Sequence, residues 1–225
     1  MMREPSERIS IVVPVLDEAA RIVADLEALQ SLRAAGPEVI VVDGGSRDRS
    51  AELAAPLADR VLRAPRGRAS QMNAGARVAR GEVLLFLHAD TRLPREAASA
   101  VLARGDWGRF DVAIEGRHAL LPVVARMMNL RSRLTGIATG DQAIFVRRTL
   151  FERLGGYAEI PLMEDIELSR RLRRVARPVC LRLRAVTSGR RWEMRGVLRT
   201  VVLMWRLRLA YSLGADPRRL AERYR

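Results

Sequence analysis

Lysine is missing altogether: all 40 basic residues among the 225 are arginine. That excludes Schiff-base chemistry on a lysine and a Walker-type phosphate loop, both of which need a primary amine. Cysteine occurs once, at Cys180, so no disulfide can form within the chain and nothing points to an oxidising compartment. Aromatic residues make up 4%, which is poor material for the stacking platforms of single-strand nucleic-acid binders. No uncharged run exceeds eight residues, whereas a membrane-spanning helix needs roughly 20. The polar start, Met1 to Arg8, lacks the apolar segment of a secretory signal, so the expected location is the cytoplasm.

Hydrophobic residues reach 48%, which suits one globular domain with an appendage. The charge is uneven. Residues 166–225 hold 17 arginines against 4 acids, whereas residues 1–165 hold 23 against 22, so nearly all of the formal +14 lies in the last sixty. Such a basic segment raises nucleic-acid binding as a rival class, but no DNA- or RNA-binding motif accompanies it.

Ile9-Ser10-Ile11-Val12-Val13-Pro14 reads as a central strand, followed by a helix that Asp17 would cap and Gly36-Pro37 would close. Residues 38–42 form a second strand ending in Asp43-Gly44-Gly45-Ser46. A helix follows from Asp48 to Ala58, then a short strand near Val61. Two strand–helix units in succession predict a parallel sheet, with ligands bound beyond its carboxyl-terminal edge. Val83 to Leu87 is a third buried run, and Val83 to Thr91 reads as one strand. Period-two geometry then sends His88 and Asp90 to the same side, where they can meet a cation or a phosphate; a solvated Asp beside a stray His fits the same triplet.

Arg66-Gly67-Arg68 precedes a helix N-terminus and offers charge and backbone N–H groups to a phosphate, although an arginine-rich surface turn reads the same way. Trp107 to Val112 and Ala143 to Val146 read as strands, and residues 119–134 as an amphipathic helix whose Met127 and Met128 suit core filling. Leu162 to Leu168 opens a helix with Glu164, Asp165 and Glu167 in its first turn, a pattern that dipole capping alone explains. Gly196 to Leu213 is an apolar helix interrupted by Arg199, Arg206 and Arg208. Packing on the body and contact with an anionic membrane surface are both open to it.

In this order the motifs resemble those of the family 2 glycosyltransferases, inverting enzymes of GT-A fold that use nucleotide-diphosphate sugars, in a compact bacterial branch. The likeness covers residues 8–192. Pro14-Val15-Leu16-Asp17-Glu18 matches the family's Pro-x-x-Asn-Glu with Asp for Asn, and Asp43 matches the base-contacting Asp, with Gly44 where a second Asp is usual. Arg68, with Asn73 and Gly75 after it, stands for the basic residue and its Asn-x-Gly. His88-Ala89-Asp90 stands for the Asp-x-Asp metal motif, and Glu164-Asp165 for the Glu-Asp pair that supplies the catalytic base. Arg191-Trp192 matches the end of the Gln-x-x-Arg-Trp motif tied to acceptor and diphosphate contacts, with Ser188 in place of Gln.

The resemblance implies an α/β GT-A (Rossmann-like) fold with a mostly parallel central sheet flanked by helices over residues 1–192, and a basic helical extension over 193–225. It further implies donor contacts at Pro14, Glu18, Asp43, Arg68, Asn73, His88 and Asp90. Mg²⁺ or Mn²⁺ is expected on Asp90, with His88 as second ligand or ribose contact, and Asp165 is expected as the base. A nucleotidyltransferase or a silent nucleotide-sugar binder is the rival on the same fold. The glycine-rich signature such nucleotidyltransferases carry after the first strand is missing here.

Overall fold

The structure, a computed structural model, describes residues 8–103 and 105–224; the polar opening residues 1–7 lie outside the described residues. Its strands are β1 Ile9–Val15, β2 Glu38–Asp43, β3 Arg60–Arg63, β4 Val83–Phe86, β5 Thr91–Arg92, β6 Trp107–Glu115, β7 Ile144–Arg147 and β8 Val179–Ser188. They form a single sheet in the order β3-β2-β1-β4-β7-β6-β8-β5. The helices are α1 Ile22–Glu27, α2 Gln30–Ala34, α3 Ser50–Ala54, α4 Arg68–Val78, α5 Ala97–Leu102, α6 Leu121–Thr135, α7 Arg148–Arg153, α8 Glu164–Val175, α9 Arg190–Arg195, α10 Val197–Ser212 and α11 Pro217–Tyr224.

Strands β3, β2, β1 and β4 run parallel, as the successive strand–helix units predict. Their apolar runs are continuous because both faces are covered. Ile11, Val13, Val39, Val41 and Leu85 point into one core, and Val12, Ile40, Val42, Leu84 and Phe86 into the other. The far half is mixed: β7 runs antiparallel to β4 and β6, β8 runs parallel to β6, and β5 runs antiparallel to β8. The chain leaves β1 toward β2 and β3 and then returns to β4 on the other side. This creates the crevice between strand ends where such sheets take ligands.

Three local expectations are corrected. The third strand stops at Phe86, and His88 to Asp90 form a tight turn closed by the Thr91 N–H on the His88 carbonyl at 3.0 Å. His88 and Asp90 therefore reach the rim from a turn rather than from one strand face. Asp17 does not cap α1. It sits at φ +54°, and its carboxylate accepts the Arg47 N–H at 2.8 Å. The hydroxyls of Ser46 and Ser50 accept the Asp17 and Glu18 N–H groups at 2.9 and 2.8 Å, so the loops after β1 and β2 clasp each other. Met127 is no core filler: it is 52% exposed.

Helix α6 is nonetheless fixed. The fully buried Arg109 on β6 donates to Ser132 Oγ at 3.0 Å and to the Asn129 carbonyl at 3.1 Å, and the Asn129 side chain bonds the Val112 backbone at 2.8 and 2.9 Å. Helix α10 packs on the body through Leu203 and Leu207 against Ile137, Met163 and Ile166, with Arg170 of α8 stacked 4.9 Å from the Tyr211 ring. Its opposite face, Leu198, Val202, Trp205 and Leu209, follows i, i+4, i+7, i+11 spacing and is exposed. No helix among the described residues is long and apolar enough to cross a membrane.

Candidate active site

A cavity of about 1580 Å³ opens over the carboxyl-terminal rim. Pro14 and Glu18 reach it from the end of β1, Arg68 from the start of α4, His88 and Asp90 from the turn after β4, and Glu164 and Asp165 from the start of α8. Asp141 arrives from the one-turn 3₁₀ segment Gly140–Gln142 before β7. Because β7 is antiparallel to β4, its beginning lies at the same rim as the ends of the parallel strands. Arg190, Arg191 and Trp192 of α9 close one side.

The centre of the arrangement is a run of short contacts. Asp165 Oδ2 accepts the Gly140 N–H at 2.8 Å, while Asp165 Oδ1 is buried without a protein partner. The His88 ring lies between the two acids of this corner. Its Nδ1 stands 3.3 Å from Asp141 Oδ1, and its buried Nε2, also without a partner, lies against Gly140 on the Asp165 side. A Cβ on Gly140 would come within 2.1 Å of His88 Nε2 and 2.9 Å of Asp165 Oδ2, so only glycine lets the imidazole and the carboxylate share this space.

Burial sets the electrostatics. It pushes the Glu164 carboxyl up, the Asp165 charge pushes it further, and Arg68 offsets only part, leaving Glu164 at about 7. Burial raises Asp165 too, against the opposing charges of His88 and Arg68 and the Gly140 N–H. Asp141 goes the other way: burial would raise it, but the His88 hydrogen bond and charge, with Arg68 and Arg191 behind them, hold it below the usual carboxylate range. Burial works against the Arg68 guanidinium, and the charge of Glu164, followed by Tyr224, Asp165 and Asp141, more than offsets that.

A carboxyl with a higher pKa in the folded than in the unfolded chain keeps a proton that unfolding releases. Between its ordinary 4.5 and about 7, Glu164 therefore makes the fold less stable as pH rises. Glu164→Gln is expected to melt close to wild type at about pH 5 and distinctly above it at about pH 8. A melting-temperature gap that does not widen with pH would show that Glu164 ionises without penalty.

Residues 10–151 match the model of Glycosyl transferase family 2. The chain belongs to glycosyl transferase family 2. The undecaprenyl-phosphate 4-deoxy-4-formamido-L-arabinose transferase of Pseudomonas paraeruginosa is 31% identical over 160 residues, which covers 64% of this chain and 47% of that protein. Its namesake in Yersinia pestis is 28% identical over 163 residues, covering 65% and 50%. The chain thus spans about half the length of the curated relatives it matches. Among solved structures, the mannosyltransferase PcManGT from Pyrobaculum calidifontis in complex with GDP-Man and Mn²⁺ superposes with a TM-score of 0.65 at 23% identity, over 91% of this chain and 61% of that one. S. aureus TarS 1-349 in complex with UDP gives 0.65 at 18%, over 80% and 60%. The fold is GT-A.

The family model ends at residue 151, so in this family 2 chain Glu164 and Asp165 are placed by geometry rather than by the match. Two residues expected at the donor do not reach the cavity wall. Asp43 is fully buried, and its carboxylate is taken up by the Gly45 and Ser46 N–H groups and the Ser46 hydroxyl. Asn73 spends both ends of its amide on the Tyr157 backbone, at 2.9 Å each, and so pins the loop before α8. Gly75, its motif partner, has a packing reason as well: a Cβ there would sit 2.4 Å from Val12. Arg191 donates to the Tyr224 hydroxyl and stacks 4.7 Å from that ring, while Arg195 donates to the Tyr224 carbonyl at 2.8 Å. Helix α10 and Tyr224, in the segment expected to be an extension, line the same cavity as His88, Gly140 and Asp165.

Among the described residues no three acids, histidines or cysteines converge tightly enough to form a metal cage of their own. The donors available instead suit a cation brought in on phosphate. Asp90 lines the cavity with one carboxylate oxygen 3.4 Å from the Thr91 hydroxyl and the other free of protein hydrogen bonds. One or two carboxylates plus substrate phosphates are the usual setting for Mg²⁺ and for similar hard cations.

Proposed function

We propose that this family 2 enzyme transfers a sugar from a nucleotide-diphosphate donor to an acceptor hydroxyl by direct, inverting displacement. The observation that carries this reading is Asp165 Oδ1, a buried carboxylate oxygen with no protein partner, in a cavity that also holds Arg68 and Asp90. The acceptor oxygen attacks the anomeric carbon, its proton passes to Asp165, and the bond to the nucleoside diphosphate breaks on the far side. Mg²⁺ or Mn²⁺ held by Asp90 would neutralise charge on the leaving diphosphate. Arg68, Arg190 and Arg191 add charge-assisted hydrogen bonds to the same group.

The names of the solved relatives support a nucleotide-sugar donor, since they are complexes with UDP, with UDP-GlcNAc or with GDP-Man and Mn²⁺. His88 is better placed as a support for the base than as a metal ligand, because its ring nitrogens face Asp141 and Gly140. The exposed apolar face of α10 beside an arginine-rich tail is the surface through which the enzyme would meet an anionic membrane.

A thermal-shift screen of UDP- and GDP-sugars with and without Mn²⁺ tests the donor half. A ligand at 100 times its Kd stabilises the fold by about 2.7 kcal/mol, which such a melt resolves. The expected result is a shift enlarged by Mn²⁺, with the Mn²⁺-dependent part lost in Asp90→Ala. Equal shifts with and without Mn²⁺ in wild type would remove Asp90 from the metal role. Release of pyrophosphate rather than nucleoside diphosphate in a turnover assay would replace glycosyl by nucleotidyl transfer.

A further inference from the structure

Helix α11 is short, yet its start and its seat are specified. Gly214 turns the chain back from α10 at φ +92°, Asp216 Oδ1 accepts the Arg218 N–H at 2.9 Å as a cap, and Pro217 opens the first turn. Leu220, 2% exposed, then seats the helix in the cluster of Leu207, Met163 and Ile166. Met163 and Ile166 flank Glu164 and Asp165 in sequence, so α11 is anchored on the segment that carries the proposed base. One turn beyond Leu220, Tyr224 reaches the wall of the cavity.

The phenol is set among guanidiniums. Arg191 stacks 4.7 Å from its ring and donates to its hydroxyl, while Arg195 donates to the Tyr224 carbonyl at 2.8 Å. Tyr224 also lies close enough to Arg68 to act on that guanidinium, second only to Glu164 among the groups that favour its charge. Because the hydroxyl oxygen accepts from Arg191, its own proton remains to be donated, and among the described residues no acceptor takes it. Guanidinium groups only donate, so the group that completes this cluster has to accept. A phosphate can accept from Arg68, from Arg191 and from the phenol together, through charge-assisted bonds.

We infer that Tyr224 is a donor-binding residue: its hydroxyl, braced by Arg191, donates to the diphosphate of the nucleotide sugar, and α11 closes the donor site. The inference rests on the transferase reading above, which puts the diphosphate against Arg68 and Arg191. Seating of α11 and donor binding then reinforce each other, since Leu220 holds the phenol in place and the diphosphate ties down the end of the helix. A phenol that only latched α11 to the body would need its ring and not its proton, because stacking on Arg191 survives without the hydroxyl.

The test is calorimetric titration of the full chain at fixed Mn²⁺ with uridine, UMP and UDP, and with guanosine, GMP and GDP. Tyr224→Phe keeps the ring and removes the proton. It is expected to weaken the preferred nucleoside diphosphate about tenfold while the matching nucleoside stays within about twofold. Leu220→Asp, which unseats α11 without touching the phosphates, should weaken the diphosphate more than the nucleoside as well. The inference is overturned if Tyr224→Phe binds the diphosphate like wild type, if it loses nucleoside and diphosphate by the same factor, or if a folded Leu220→Asp keeps wild-type diphosphate affinity. Wild type that binds neither UDP nor GDP would instead fault the donor reading, and this inference would fall with it. Wild type that binds one of them, beside an unimpaired Tyr224→Phe, overturns the role of Tyr224 and leaves the donor reading standing.

Discussion

Asp165→Asn is expected to slow sugar transfer by about 10²–10⁴-fold, the usual contribution of a positioned general base. Nucleotide affinity should stay within about twofold, because the amide keeps the shape of the side chain and one oxygen for the Gly140 N–H, now 2.8 Å from Asp165 Oδ2. The size of the loss is informative in itself. A hydroxyl must shed its proton as it attacks and needs Asp165 to receive it, whereas a phosphate oxygen is already ionised at neutral pH. A loss below tenfold would therefore remove Asp165 as base and make an ionised oxygen the nucleophile. The acid limb of the rate profile belongs to the Glu164–Asp165 pair together, since burial raises both and the Asp165 charge raises Glu164 further. Glu164→Gln should move that limb to lower pH.

Gly140→Ala is expected to cost about 10²-fold in kcat, because displacement of a reacting group by about 1 Å is worth a factor of that order. The glycine backbone does not lie in the left-handed region, so alanine meets no backbone strain there. What it meets is His88, with Nε2 at 2.1 Å and Cε1 at 2.3 Å from the new methyl, and Asp165 Oδ2 at 2.9 Å. The ring and the carboxylate must move, and overpacking of this kind also costs stability, about 1–3 kcal/mol. Gly75→Ala is the control. Its methyl would press on Val12 at 2.4 Å, in the sheet rather than the site, so it should lower the melting temperature with kcat preserved. If Gly140→Ala behaves the same way, with stability reduced and kcat intact, the corner formed by Gly140, His88 and Asp165 is packing and not machinery.

The amino-terminal half was legible because its strands are unbroken β-branched runs stopped by proline, glycine or aspartate, as in Ile9 to Val15 and Glu38 to Asp43. Burial on both faces leaves no room for a competing pattern. Strand β8 escaped because arginines interrupt it: Leu181, Leu183 and Ala185 alternate with Arg182 and Arg184, a period-two signal hidden by charge and by the irregularity opposite Phe110 and Asp111. Asp141 escaped for a topological reason. Its approach to Asp165 depends on β7 running antiparallel, and the apolar residues of Ile144–Arg147 carry no mark of strand direction. Asn73 shows what a motif leaves open: its amide is spent on the Tyr157 backbone, and the pattern alone does not say whether a ligand or a neighbouring loop wants the residue.

The grip of Arg191 and Arg195 on Tyr224 has a practical side. Helix α11 is seated by Leu220 against Leu207 and Ile166, and its last turn is tied to the cavity wall through Tyr224, so a purification handle fused after it would pull on Arg191, which lines the cavity. Ile9, where β1 begins, lies at the end of the sheet opposite the rim, away from that contact. Kinetic comparisons between preparations should therefore carry the handle on the amino-terminal side.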